Sequence, residues 1–217
     1  MRSLLGGLMT PVADVPQRDA LAIMWLLLLL GGIAPVIAPV MTAGLTGAVL
    51  VSAAAGASPP PSPLRTPRRV LRSAVISTLT VALGLLAPVW GLLLLLELVS
   101  AVTSARSLAL VGLSSVGGVL MLASVYLVPV VIVQFDESGR LNVDQLRETA
   151  RSSRYLLRWL GGVVCLSTAM VVLAGTTADF GVLPLVGRLI AAYLMVLGAQ
   201  LIGRGIRGHD QLRPEAA

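Results

Sequence analysis

Residues 20–57 carry no charged side chain, and this stretch of 38 residues limits what the chain can fold into more than any other feature. A helix rises 1.5 Å per residue, so crossing about 30 Å of hydrocarbon takes roughly 20 apolar residues. The run is too long for one ordinary crossing, and Gly31, Gly32, Pro35 and Pro39 interrupt it near the middle. Two helices are therefore predicted, over 20–36 and 39–57, each just long enough to span if the turn between them is tight. One long, tilted and kinked helix is the alternative.

Further apolar blocks predict helices over 71–103, with Pro88 as a kink, and over 107–133, 142–178 and 182–203. Hydrophobic residues make up 56% of the chain and charged residues 12%. The mean hydropathy of +0.92 lies outside the range of ordinary soluble domains. The expected fold class is all-α: a polytopic transmembrane helical bundle of six (alternatively five) membrane helices. To these a cytoplasmic amphipathic helix is added, leading into the fifth. The whole chain, 1–217, reads as a single integral membrane domain with a Pro/Arg-rich linker over 58–70 and a polar tail over 204–217. The apolar run from Ala20 outlasts the core of a signal peptide, so the N-terminus is expected to stay attached.

All 16 basic residues are arginines, and with 10 acidic residues they give a formal net charge of +6. In the six-helix arrangement the N-terminal segment, the linker, the polar passage 134–159 and the tail share one side, which then holds 14 of the 16. Five helices would keep the last three of those segments together. Basic loops stay in the cytoplasm, so the expected location is the cytoplasmic membrane, with the C-terminus inside and, for six helices, the N-terminus too. Nucleic acid is not an expected partner: the charges flank apolar blocks, aromatic residues are 4%, and no stacking motif is present.

Between Gln134 and Trp159 lies the one long polar passage between apolar blocks. Asn142 is placed to cap a helix, with Gln145 at the capping-box position, and no Pro or Gly follows until Gly161. At helical spacing Val143, Leu146, Ala150, Ser153, Leu157 and Leu160 share one face, beside a stripe of Arg147, Arg151, Arg154 and Arg158. An apolar face next to an arginine stripe suits a membrane surface. With Arg65, Arg68, Arg69 and Arg72 of the linker, these four are the candidate contacts for anionic lipid headgroups. A solvated helix whose arginines pair with Asp144 and Glu148 is the alternative. Tyr155 and Trp159 are expected as interfacial anchors.

Catalytic patterns are absent: no HExxH, no G-x-S-x-G and no Walker loop occur. His209 and Cys165 are the only residues of their kinds, which removes a histidine cluster and an intrachain disulfide. No catalytic residue, cofactor or metal is expected, and the chain does not read as an enzyme. Two ionisable residues fall in or near the apolar blocks, Glu97 and Arg188. Intramembrane charge points to a substrate or ion contact. The plainer expectation is an interfacial Glu and a snorkelling Arg, paired to hold two helices in register. Small residues four apart, as in Ala87/Gly91, Ser114/Gly118 and Gly187/Ala191, permit close helix packing or a dimer face.

Several features in order resemble an uncharacterised membrane family, domain of unknown function 4013, known mainly from halophilic archaea. They are Gly31-Gly32; Pro39 followed by Gly44; Tyr126-Leu127 with Pro129; Phe135 with Gly139-Arg140-Leu141; Ser152 or Ser153 before Tyr155; and Leu183-Pro184-Leu185-Val186-Gly187 leading to Tyr193 and Gly203-Arg204. The chain departs from the pattern at Leu45, where a tyrosine is expected, and in a linker that is basic and lacks acidic and tryptophan residues. The resemblance implies a multi-pass membrane protein and supplies no activity. The expected role is a non-enzymatic bundle that binds anionic lipid, or a membrane-protein partner or second copy, through its basic cytoplasmic face. A small-molecule transporter or permease subunit is the alternative.

Overall fold

In the computed structural model, which describes residues 15–31, 37–56, 67–81, 106–176 and 182–210 and single positions between 83 and 98, the charge-free run divides in two. Helix α1 (Val15–Leu30) ends at Gly31, and α2 (Ile37–Ala54) follows and packs against it, which removes the single kinked helix. The apolar part of α1, Asp19–Leu30, is shorter than an ordinary crossing. Five more helices follow: α3 (Pro67–Val81), α4 (Arg106–Ser138), α5 (Val143–Arg151), α6 (Ser153–Gly175) and α7 (Val182–Asp210). Of the block predicted over 71–103, α3 covers the first part, and positions 90, 91, 93–95, 97 and 98 are also helical. The predicted linker up to residue 66 and the end of the tail, 211–217, lie outside the described residues.

No strand occurs among the described residues, so the all-α class holds. Among the described residues four stretches are long and apolar enough to cross a membrane: Ile37–Ala54, Ser115–Ser138, Ser153–Gly175 and Val182–Arg207. Large apolar side chains on them face outward, among them Val119, Leu122, Val164, Val171 and Ile190. Water would drive such residues into a core or an interface, whereas hydrocarbon accepts them. That pattern is consistent with a membrane-embedded protein.

Helix α7 is the centre of packing and touches α1, α2, α4 and α6. Against α6 the two backbones meet: a Cβ on Gly162 would lie 2.8 Å from the Gly198 carbonyl oxygen, and one on Gly198 would lie 2.9 Å from that of Gly162. Lipid offers no hydrophobic gain for helix association, so close approach at small residues is what brings dispersion contacts into range. Gly203 serves the same purpose, since a side chain there would run into the Leu50 carbonyl and Ala53 of α2. This explains a correction: the tail expected to begin at 204 is helical as far as Asp210. Gly203 and Gly205 permit contact and do not end the helix.

The polar passage also differs from expectation. α4 continues through Gln134 to Ser138, where Gly139 turns the chain with φ +66°. Asn142 caps α5 as predicted, its side-chain oxygen accepting from the amides of Asp144 (3.1 Å) and Gln145 (3.2 Å). The helix expected to run unbroken over 142–178 is instead two, separated at Ser152, whose backbone is extended at φ −72° and ψ 121°.

Candidate functional site

Contacts between helix ends collect the charged segments at one end of the bundle. Arg72 of α3 approaches Asp136 of α4, with Nε 4.0 Å from the carboxylate and Nη2 donating to the backbone oxygen at 3.3 Å. Ser73 donates to the same carboxylate (3.4 Å). Arg158 of α6 donates from Nη1 to the Arg204 carbonyl of α7, and the Arg207 guanidinium lies against Gly56 beyond the end of α2. The end of α2, the start of α3, the end of α4, α5, the start of α6 and the end of α7 are therefore neighbours. Arg68, Arg72, Arg147, Arg151, Arg154 and Arg158 are all exposed there. Arg69 lies on α3, and Arg65 is outside the described residues.

The arginines do not form the single stripe that an unbroken helix would give. The break at Ser152 makes them two i, i+4 pairs, Arg147/Arg151 on α5 and Arg154/Arg158 on α6. The residues of the predicted apolar face differ in exposure. Leu146 and Ala150 are partly covered, but Val143, Leu157 and Leu160 are exposed, and Thr149 is the buried residue of α5.

A dense polar clamp holds α5 where it is. Gln134 is 5% exposed, and its amide accepts from the Asn142 N–H (3.2 Å) and donates to the Asn142 carbonyl (3.4 Å). It thereby takes the position at the Asn142 N–H that a capping box would give to Gln145. Pro129, inside α4, has no N–H, which leaves the Val125 carbonyl without its helical donor. The Trp159 indole N–H of α6 donates to that oxygen at 3.3 Å, and the Tyr155 hydroxyl donates to the next carbonyl, Tyr126, at 2.6 Å. The Tyr126 hydroxyl in turn donates to the Ala150 carbonyl (2.7 Å) in the last turn of α5. The Tyr126 ring lies 5.0 Å from those of both Tyr155 and Trp159, tilted to the first and edge-on to the second. Tyr155 is 0% exposed. The expectation of interfacial anchors is thus corrected: both aromatics are core residues bonded to carbonyls of a proline-interrupted helix, and Trp159 takes the carbonyl that the proline leaves open.

Nearer the other end is a half-enclosed cavity of about 640 Å³ between α1, α2, α3, α4, α6 and α7. Its lining is apolar except for Thr42, Thr46, Ser77 and Arg188. Arg188 is 9% exposed, and its guanidinium has no hydrogen-bond or ion-pair partner among the described residues. Glu97 is exposed. Thr46 bonds back to the Thr42 carbonyl (2.8 Å) and Thr80 to that of Ile76 (2.7 Å), the usual self-satisfaction of a hydroxyl in an apolar helix. Thr42 Oγ1 and Ser77 Oγ are buried and make no such bond. Thr78 Oγ1 is also unpartnered but does not line the cavity. Ser77 sits against Gly47 of α2, where any side chain would displace it.

Thr42, Ser77 and Gln134 do not stand out in the sequence. One usable signal was present, since Ser73, Ser77 and Thr80 recur at helical spacing on an otherwise apolar face of α3. Among the described residues no cluster of His, Cys, Asp and Glu could hold a metal ion. Neither a family model, nor a curated protein, nor a solved structure matches the chain.

Proposed function

We propose that this chain is a multi-pass protein of the cytoplasmic membrane, with six crossings and both termini inside, whose basic end binds anionic lipid headgroups without catalysis. The reading extends to the motif order that resembles domain of unknown function 4013. The observation that carries it is the gathering of six exposed arginines, Arg68, Arg72, Arg147, Arg151, Arg154 and Arg158, at one end of a bundle with apolar sides. Each arginine held near an anionic leaflet contributes up to about 1 kcal/mol, so the four on α5 and α6 contribute about 4 kcal/mol at low salt, less what Asp144 and Glu148 neutralise. The clamp at Gln134 and Tyr126 supports the same reading, because a headgroup-binding helix works best when its orientation is already fixed.

Hydrogen exchange across residues 143–154 is the test. In anionic nanodiscs the combined change Arg147→Gln, Arg151→Gln and Arg154→Gln is expected to speed exchange, and in zwitterionic nanodiscs to leave it unchanged. If the unaltered protein exchanges equally in both lipids, these arginines dock protein or face solvent. The second reading, a small-molecule transporter or permease subunit, is favoured by the cavity at Arg188. Solute uptake into proteoliposomes no faster than into protein-free vesicles removes it.

A further inference from the structure

A guanidinium is always charged, and taking one out of water without a partner is strongly unfavourable unless something completes it. Among the described residues Arg188 is in that position, and two buried hydroxyls that make no bond there, Thr42 and Ser77, line the same cavity. The three come from three different helices, α7, α2 and α3, and line one cavity. All the polar groups concerned can donate, and no carboxylate lines the cavity among the described residues. The missing partner is therefore an anion.

The remainder of the lining restricts what kind of anion. Apolar side chains such as Leu28, Leu50, Ile132, Leu166 and Met195 form most of the wall. A small hydrophilic anion would leave that wall unfilled. Ala38 and Leu50 both line the cavity from α2 and stand twelve residues apart. That separation is about 18 Å along a helix, the reach of an extended hydrocarbon chain. A volume of about 640 Å³ falls within the range of small-molecule sites. We propose that the cavity binds a single-chain amphiphile with an anionic head, of the fatty-acid type. Its carboxylate is held by Arg188, Thr42 and Ser77 offer further donors on the α2 and α3 walls, and its chain lies along the apolar lining. This site is separate from the basic end and does not depend on headgroup binding there, nor on whether solute is moved.

Photolabelling of the full-length protein in zwitterionic nanodiscs, using palmitate that carries a diazirine in its chain, tests the assignment. Saturable labelling of lining segments in α1, α2 or α6 is expected, displaced by excess palmitate and not by hexadecanol or acetate. Arg188→Gln should weaken half-saturation at least tenfold, Arg188→Lys should stay within threefold of the parent, and Thr42→Val with Ser77→Ala should weaken it about threefold. A melting temperature of Arg188→Gln at or above that of the parent shows that the variant is folded. A lower one moves the decision to the Thr42/Ser77 pair, whose unchanged half-saturation would then overturn the site. Equal labelling of a folded Arg188→Gln, displacement by hexadecanol as effective as by palmitate, or labels only on outward-facing residues would each reject the anionic head. Displacement by acetate would show a free-anion site and reject the chain.

Discussion

Gln134 and Arg188 are both polar side chains buried in apolar helices, and their surroundings are opposite. Gln134 has both ends of its amide bonded to Asn142, within a network that also ties Tyr126, Tyr155 and Trp159 to backbone carbonyls. Arg188 faces a cavity with no partner among the described residues, beside two hydroxyls in the same condition. Buried polarity that is fully matched rigidifies a fold, whereas buried polarity left open marks a place where the fold alone is incomplete. The two regions therefore serve different ends: the first sets how α4, α5 and α6 meet, and the second reserves space.

Stability measurements in detergent free of added amphiphile can break or sharpen this contrast. The largest effect is expected for Tyr155→Ala, which removes a fully buried ring and a hydrogen bond and should lower stability by about 3–5 kcal/mol in chemical unfolding. Gln134→Ala leaves the Asn142 N–H without its partner, and the Asn142 carbonyl with the Leu146 amide alone, and should lower it by about 2 kcal/mol. Arg188→Met carries the opposite sign. Removing an uncompensated charge should raise stability by about 1 kcal/mol, and a loss as large as that of Gln134→Ala would mean the two regions are alike. The smallest change is expected for Ser77→Ala, within about 0.5 kcal/mol, because the hydroxyl has no bond to lose.

Where a feature depends on neighbours in the chain, the sequence was enough to find it. The cap at Asn142, the break of the charge-free run near Gly31 and the helical nature of the apolar blocks all follow from residues within one or two turns. The break at Ser152 does not, because no Gly or Pro marks it and a hydroxyl from Tyr126 completes the preceding turn from another helix. Tyr155 and Trp159 at the start of an apolar helix look like interface residues. Their burial is decided by carbonyls of a helix interrupted at Pro129, and for Trp159 the acceptor is Val125, 34 positions earlier. Arg188 stands out in the sequence as a charge in an apolar segment. Its isolation depends on where α2 and α3 run, which no local pattern encodes.

Pro129 sets an order on assembly. The ribosome delivers α4 before α6, so for a time the Val125 carbonyl stands in a nascent helix whose donor, the Trp159 indole, has not yet been synthesised. An open carbonyl is tolerable in water and poorly tolerated in hydrocarbon. Release of α4 into lipid is thus best delayed until α6 arrives, and the two are expected to leave the insertion machinery as a pair. A chain cut short after α5 would carry that open carbonyl into the bilayer, where nothing in the solvent can take the place of the missing indole.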